Sequence, residues 1–516
     1  MKIRILIAIT FLSVSCEKFL YDEDDKIGII NNQEELNNAI TGIYGLFGDV
    51  FNDNLNVDPF LFACIMADDI NLEPLDQEND HPCRNTNNKI VANDFYDIIN
   101  IENNLYKTLY KTIVSTNNII KQEDKIQNIT QANTYIGEAY FIRSLCYFYL
   151  TRFFGEIPLV TNIEIKYNIK RASIPEIYKL IEVDMLKAIQ LLPSSNETAR
   201  IPDVTPHRGT AKAVLAEIYL NMAGFPLKDT EKYKLAAKYA GEVIDSAEFY
   251  GIGLVNNYAQ LWDFDYYFNP EKVFGVKFID DEFSGFGLQF SRSYSVGTTK
   301  TLYPRTQRHI IPEYNFYKDY PDSYRKKVSF YTGYYRETNY SIEDQDYDWV
   351  DMVELNPVEF CDFLEIIRYR KWLLNISYDV TALYLFRYAH TLLTYAEAKA
   401  KSGQLDASAY EAVNKIRRRA NKLDINQPSV FDLQPGLSPG QFADSVVWER
   451  ALEFCAEPEG RWFDILRLEM LEKIYASRYY YEPEVPWYSK ITEENYFMDI
   501  PQEDMWLNPN LEPSNK

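Results

Sequence analysis

Hydrophobic positions along this chain recur mostly at helical spacing. Leu36, Ile40, Ile43 and Phe47 fall three or four residues apart and predict a helix over Gln33 to Phe47. Asn93 to Lys121 predicts one or two more. Between Gln131 and Phe154 the apolar arc widens. Ile136, Ala139, Ile142, Cys146 and Tyr149 form one stripe, and Phe141, Leu145 and Phe148 form the adjoining one. A helix apolar over so wide an arc has no solvent face and belongs inside the fold. Gly155 supplies its stop, and Pro158 prevents resumption.

Two later stretches share a design. Thr205 is placed to cap a helix with Pro206 in its first turn, running to Met222 and stopping at Gly224. Asp229 or Thr230 then caps a second helix through Ala247. Further on, Tyr384 to Ser402 reads as helix, Gly403 ends it, and Asp406 caps a partner through Ala420. Each stretch is a pair of helices joined by a short loop, the unit of helical repeats. The period is not constant. The expected architecture is therefore mainly α, a set of irregular tetratricopeptide-like hairpins rather than a regular solenoid.

The texture changes between the two pairs. Residues 258–350 hold 25 aromatic residues, against 15% aromatic for the whole chain. Gly, Pro, Asp and Asn interrupt this insert, and short β runs such as Lys272 to Phe278 replace helical periodicity. A second aromatic cluster spans Tyr475 to Tyr488.

The first residues carry an address. Lys2 and Arg4 precede the apolar run Ile5 to Leu12, then Ser13, Val14, Ser15 and Cys16. That order is a secretory signal, too short to span a bilayer. A Cys at the cleavage point resembles the lipobox of bacterial lipoproteins, with Ser13 where Leu is usual. Residues 1–15 are read as signal peptide and Cys16 as the lipid-bearing residue. Residues 16–31, with Asp22-Glu23-Asp24-Asp25, are read as an acidic tether.

Net charge of −23 and a pI near 4.8 argue against a nucleic-acid partner, which needs a basic face. The one basic cluster, Lys415-Ile416-Arg417-Arg418-Arg419, is expected at a solvated helix end. The cysteines beyond Cys16 are Cys64, Cys83, Cys146, Cys361 and Cys455. They are odd in number and widely spaced, which fits neither a disulfide scaffold nor a zinc site. Cys146 is expected to pack as a small hydrophobe.

Several ordered segments carry a family resemblance. The first is Gly137-Glu138-Ala139-Tyr140-Phe141-Ile142-Arg143-Ser144-Leu145, continuing from Tyr147 through Gly155-Glu156-Ile157-Pro158. Thr210 to Leu220 is the second. Arg387-Tyr388-Ala389 with Tyr395-Ala396-Glu397-Ala398 is the third. Glu449-Arg450-Ala451-Leu452-Glu453-Phe454, then Glu459-Gly460-Arg461-Trp462-Phe463-Asp464, then Ile500-Pro501 and Asn508-Pro509-Asn510-Leu511 complete the set. Together they resemble the SusD/RagB outer-membrane nutrient-binding lipoproteins of Bacteroidetes. Cys455-Ala456-Glu457-Pro458 departs from the usual apolar spacer, and the usual final Gly-Tyr is absent. By this resemblance the chain divides into an N-terminal helical region, 32–257, and a C-terminal region, 258–516, that includes the insert.

The resemblance implies capture rather than chemistry: a surface-exposed, lipid-anchored protein that holds an oligosaccharide, or in some branches a peptide, for a SusC-like TonB-dependent transporter. The residues permit this independently, because Tyr and Trp offer rigid faces with polar tips for sugar rings. Candidate ligand residues are Trp262, Tyr266, Tyr267, Tyr303 and Tyr314 in the insert, with Trp262 favoured. Asp76, Asn79, His81 and Arg84 follow in the loop after Met66-Ala67-Asp68-Asp69. Asp68 and Asp69 themselves are read as structural. Glu453, Arg461 and Asp464 are expected in buried charge-assisted bonds that lock the C-terminal lobe onto the helices. No metal or cofactor site is expected. The sequence lacks H-E-x-x-H, G-x-S-x-G and phosphate-loop motifs, and His81, His207, His309 and His390 are far apart. A surface hydrolase stays open, since glycosidases need only two carboxylates; so does a scaffold that docks proteins alone.

Overall fold

The computed structural model describes residues 28–51, 67–72, 96–163, 168–262, 269–279, 310–331, 333–337, 347–351, 368–369, 380–477 and 496–512. Its N-terminal helices are α1 (Gln33–Asp49), α2 (Tyr96–Lys121), α3 (Ala132–Phe154) and α4 (Ile174–Leu191). Asn32 caps α1, its side chain accepting from Glu35 N, and Leu36, Ile40, Ile43 and Phe47 are all buried as their spacing demands. α3 packs against α1, α2 and α4, so both its stripes are covered. Gly155 ends α3 at φ 69°, a conformation that favours glycine, with its N–H donating to Thr151 O. Cys146 is fully buried there as a free thiol. Upstream, Ile30 is buried and its N–H donates to Gln122 Oε1, so the chain is already docked before α1 begins.

Next come α5 (Arg208–Met222), α6 (Lys232–Asp245) and the short α7 (Ala247–Tyr250). α5 begins two residues later than its first-turn proline suggested. Thr205 does not cap it: the Thr205 hydroxyl donates to Ile201 O and accepts from Ile201 N, closing a turn of its own. His207 caps instead, its Nδ1 accepting from Gly209 N. α6 likewise starts after Asp229 and Thr230, with Glu231 at its cap position.

The C-terminal half contains α8 (Tyr314–Asp319), α9 (Tyr324–Ser329), α10 (Tyr388–Lys401), α11 (Ala407–Ala420), α12 (Pro439–Glu453), α13 (Arg461–Arg467), α14 (Leu471–Ser477) and α15 (Gln502–Leu507). Asp406 caps α11 as expected, accepting from Ser408 N and Ala409 N. α10 begins later than expected. Tyr384 to Arg387 end a strand, β10 (Val380–Arg387), which pairs antiparallel with β4 (Lys272–Ile279). A short apolar run fits either period, and here the partner strand decides.

α5 pairs with α6 and α10 with α11, and α10 also packs on α5, α6 and α12. The two hairpins therefore stack into one tetratricopeptide-like, mainly α array. Among the described residues the strands form two-stranded ladders only: β1 (Ile70–Leu72) with β5 (Ile310–Pro312), β2 (Ile157–Pro158) with β3 (Arg171–Ala172), β6 (Phe330–Tyr331) with β9 (Arg368–Tyr369), β7 (Gly333–Glu337) with β8 (Tyr347–Asp351), and β4 with β10. Among those residues no helix is long and apolar enough to cross a membrane.

Candidate ligand-binding face

The two sequence stretches that carry candidate ligand residues meet at one ladder. β1 and β5 run antiparallel, with Ile70 opposite Pro312, Asn71 opposite Ile311 and Leu72 opposite Ile310. Leu72, the last described residue before Asp76, Asn79, His81 and Arg84, lies opposite Ile310, the first described residue after Tyr303. Pairing thus brings segments more than two hundred positions apart to a common end. Glu313 N donates to Asp69 O at 3.0 Å, so hydrogen-bonded pairs fall at 69/313 and 71/311. Pro312, which has no N–H, occupies the position between them that needs none.

The ladder is fastened to the C-terminal lobe by the two aspartates that precede it. Asp68 receives a forked pair from Arg461, Nε to Oδ1 at 2.7 Å and Nη2 to Oδ2 at 3.0 Å. Asp69 is buried, and its Oδ2 accepts Ala456 N at 2.7 Å. Burial pushes the Asp69 carboxyl up to about 7, the nearby Asp68 charge adds to this, and the Ala456 N–H and Arg461 oppose it. Both aspartates are structural, as read from sequence. On the other side Glu313 caps α8, its Oε2 accepting Phe316 N at 2.8 Å. Sequence reading missed Glu313, because glutamate is not among the favoured capping residues.

Trp262 corrects the favoured candidate. It is fully buried, edge-on to Tyr258 at 6.1 Å and to Tyr384 at 6.4 Å between ring centroids, with Arg387 Cζ 6.0 Å from its ring. A ring enclosed in this way presents no face to a ligand. Asp263 and Asp265, which flank it in sequence, lie outside the described residues. So do Cys16, Tyr266, Tyr267, Tyr303, Asp76, Asn79, His81 and Arg84. Tyr314 opens α8, two residues after β5.

Behind this face lies a buried ionic core. Glu453, at the end of α12, accepts from Arg325 Nη1 at 2.7 Å, Arg387 Nη1 at 3.0 Å and Arg419 Nη2 at 2.5 Å. Arg387 also reaches Glu271 at 2.6 Å and Glu457 at 3.0 and 3.1 Å, and Arg419 reaches Glu271. A second group joins Arg450 to Asp464 and Glu217, and Arg467 to Asp464 and Glu397. Arg152, between the rings of Phe148 and Phe463, forks onto Glu459. These pairs connect α3, α5, α9, α10, α11, α12 and α13, so the C-terminal lobe is locked onto the helices as its motifs implied.

The chemistry of the core is closed. Burial pushes the Glu453 and Asp464 carboxyls up, but their arginine partners win and hold both at about 2. Neither is placed to pass a proton. His390 is buried, its Nδ1 accepts from Arg387 N, and its ring stacks on Phe454 at 3.7 Å. Burial, aided by Arg450 and Arg387, pushes it down to about 3. The basic cluster is also corrected. Arg418 and Arg419 are buried, Arg418 on Asp432 and Glu411 and Arg419 in the ionic core. Only Arg417 and Lys415 of its charged residues keep partial exposure.

Stacked helical hairpins and a locked ionic core define a tetratricopeptide-like scaffold. Comparison with known proteins places it. A family model described as "Starch-binding associating with outer membrane" matches residues 61–220, and the SusD family model matches residues 303–516. The chain belongs to the SusD/RagB family. The SusD-like protein P2 of Formosa agariphila is 25% identical over 395 residues, covering 75% of this chain and 74% of that protein. The crystal structure of a SusD homolog from Bacteroides thetaiotaomicron superposes with a TM-score of 0.76 at 23% identity, over 96% of this chain and 98% of the other. Surface glycan-binding protein A from Bacteroides fluxus superposes with a TM-score of 0.67 at 17% identity, over 93% and 97%.

Proposed function

We propose that this protein is a lipid-anchored capture protein of the bacterial outer-membrane surface that binds an oligosaccharide and passes it to a SusC-like TonB-dependent transporter. The observation that carries this reading is the pair of family matches, in chain order, behind a signal segment ending at Cys16. The pairing of Leu72 with Ile310 in the β1–β5 ladder supports a single ligand face built from both sequence stretches. A neighbour in fold is named for surface glycan binding, and aromatic rings with nearby carboxamide and guanidinium groups suit that ligand class.

The test is saturable binding of purified protein to an array of oligosaccharides and peptides, with product analysis alongside. The expected outcome is binding of a glycan without turnover, weakened at least tenfold in Tyr303→Ala or Arg84→Ala. Released product would establish a hydrolase instead, and saturable binding of peptides alone would move the ligand class. Protease shaving of intact cells tests the location; a fully protected chain would overturn surface exposure.

A further inference from the structure

The bonds that dock the chain ahead of α1 also fix where it enters. Asn118 Nδ2 and Gln122 Nε2 donate to Gly28 O at 3.2 and 3.1 Å, and Ile30 N donates to Gln122 Oε1. Gly28 is thereby held at the C-terminal end of α2. Twelve positions separate it from Cys16, a length of chain that reaches at most about 40 Å. A surface that holds Cys16 lies within that distance of the end of α2.

One face of α2 leads from this point to the C-terminus of the protein. Lys107 precedes Asn118 by eleven positions, close to three helical turns, so the two share a face and stand about 16 Å apart along the axis. Lys107 Nζ bonds Glu503 Oε2 at 2.7 Å, which ties α15 to that face. Trp506 and Leu507 follow Glu503 by three and four positions, the spacing that places them on its side of α15. They are 73% and 69% exposed, and Ile29, at the other end, is 53% exposed. Between them α2 shows Lys111 and Lys121, both exposed. From Leu105 to Lys121 it carries no acidic residue, in a chain of net charge −23. In the turn that follows, Lys125 and Asp124 are exposed and Glu123 accepts from the Tyr140 hydroxyl.

We propose that this face rests on the lipid surface that holds Cys16, with Trp506 and Leu507 seated at the level of the headgroups and Lys111 and Lys121 meeting anionic lipid. It rests on the lipid anchor of the proposed function. The length of the chain from Cys16 selects lipid as the occupant, because it enters at one end of the stripe and brings that end to the bilayer. The side chains suit the place. An indole is an amphipathic ring that settles at the boundary of headgroup and acyl chain, and lysine lays its stem on apolar surface while its charge stays in water. Apolar residues at both ends of a lysine-bearing stripe are the pattern of a surface that lies in a lipid interface. An anchor alone leaves the protein free to turn above the membrane; a second contact at the far end of the stripe sets which side faces down.

Tryptophan quenching by brominated lipid tests this. The mature lipidated protein is reconstituted into vesicles of brominated phosphatidylcholine and phosphatidylglycerol, with no transporter present. Bromine on the acyl chains quenches an indole only at the bilayer. Wild type should be quenched, and in Trp506→Phe the quenching should fall about twofold or more. The double variant Lys111→Glu, Lys121→Glu should lower it toward the same value. Trp506 is exposed, so Trp506→Phe keeps the fold. The lipid holds every variant on the vesicle alike, and the difference therefore reads docking rather than attachment. Equal quenching in wild type and Trp506→Phe overturns the inference. Mass spectrometry of the same samples keeps the two readings apart. Lipid on Cys16 with equal quenching overturns the docking alone, whereas Cys16 without lipid overturns the anchor and the docking together.

Discussion

The apolar stripes of helix α3 and the α12–α13 segment are both buried, yet opposite chemistry buries them. α3 encloses Ile136, Ala139, Ile142, Leu145 and Phe148 with aliphatic and aromatic neighbours. The α12–α13 segment encloses Glu449, Arg450, Glu453, Arg461, Asp464 and Arg467 with counter-ions. The first kind of burial is non-directional and tolerates approximate shape. The second demands that every charge find its partner, because a buried charge left alone is costly. The apolar stripes of α3 are therefore tolerant, whereas the α12–α13 charges, like the Arg143–Asp184 and Arg200–Glu138 pairs of α3 itself, are exacting.

The sharpest way to break that contrast is to remove one carboxylate. Glu453→Ala leaves Arg325, Arg387 and Arg419 short of a shared partner and should cost about 3–5 kcal/mol in denaturant unfolding. A loss under about 1 kcal/mol would mean the ionic core is replaceable.

The pH dependence of the same site is next. Glu453 is depressed to about 2, so its pairing contributes stability above its unfolded value near 4.5 and loses it as pH falls toward 2. The stability gap between wild type and Glu453→Gln, on the order of 3 kcal/mol at pH 7, should close over that window. A gap that persists at pH 2 would assign the effect to packing.

In α3 the corresponding change is gentler. Ile142→Val should cost about 0.5–1.5 kcal/mol and do so equally at pH 7 and pH 4. A strong pH dependence there would blur the distinction between the two regions. The smallest effect is reserved for the surface. The Lys228–Glu469 pair spans 2.8 Å with both side chains about half exposed. Lys228→Ala should change stability by less than about 0.5 kcal/mol, and raised salt should erase the difference.

The same contrast explains what could be read from sequence. Apolar periodicity located α1 and α3 to within two residues, because in those helices burial and hydrophobicity coincide. It placed Arg418 and Arg419 in solvent, because charge on a helix end is usually exposed and their counter-ions lie on other elements. A signal was available: the alternation Glu449-Arg450, Glu453, Arg461, Asp464, Arg467 sets opposite charges at helical spacing among apolar residues. The start of α10 was misplaced because Leu383 to Phe386 suits strand and helix alike, and only β4 distinguishes them. Trp262 misled for a related reason. Its place in an aromatic-rich insert suggested a face for a ligand, whereas its ring is buried edge-on to Tyr258 and Tyr384. The pairing of Leu72 with Ile310 joins positions more than two hundred residues apart, which no local pattern encodes.

Two thiols happen to mark the two kinds of interior. Cys146 lies within α3 and Cys455 in the turn after α12, each a fully enclosed thiol. Burial drives the Cys146 thiol well above its ordinary range, so the reactive thiolate is scarce until the helix opens. Residue-resolved alkylation would therefore work as a pair of clocks inside one molecule. Their relative rates under mild stress would tell which half of the protein comes apart first.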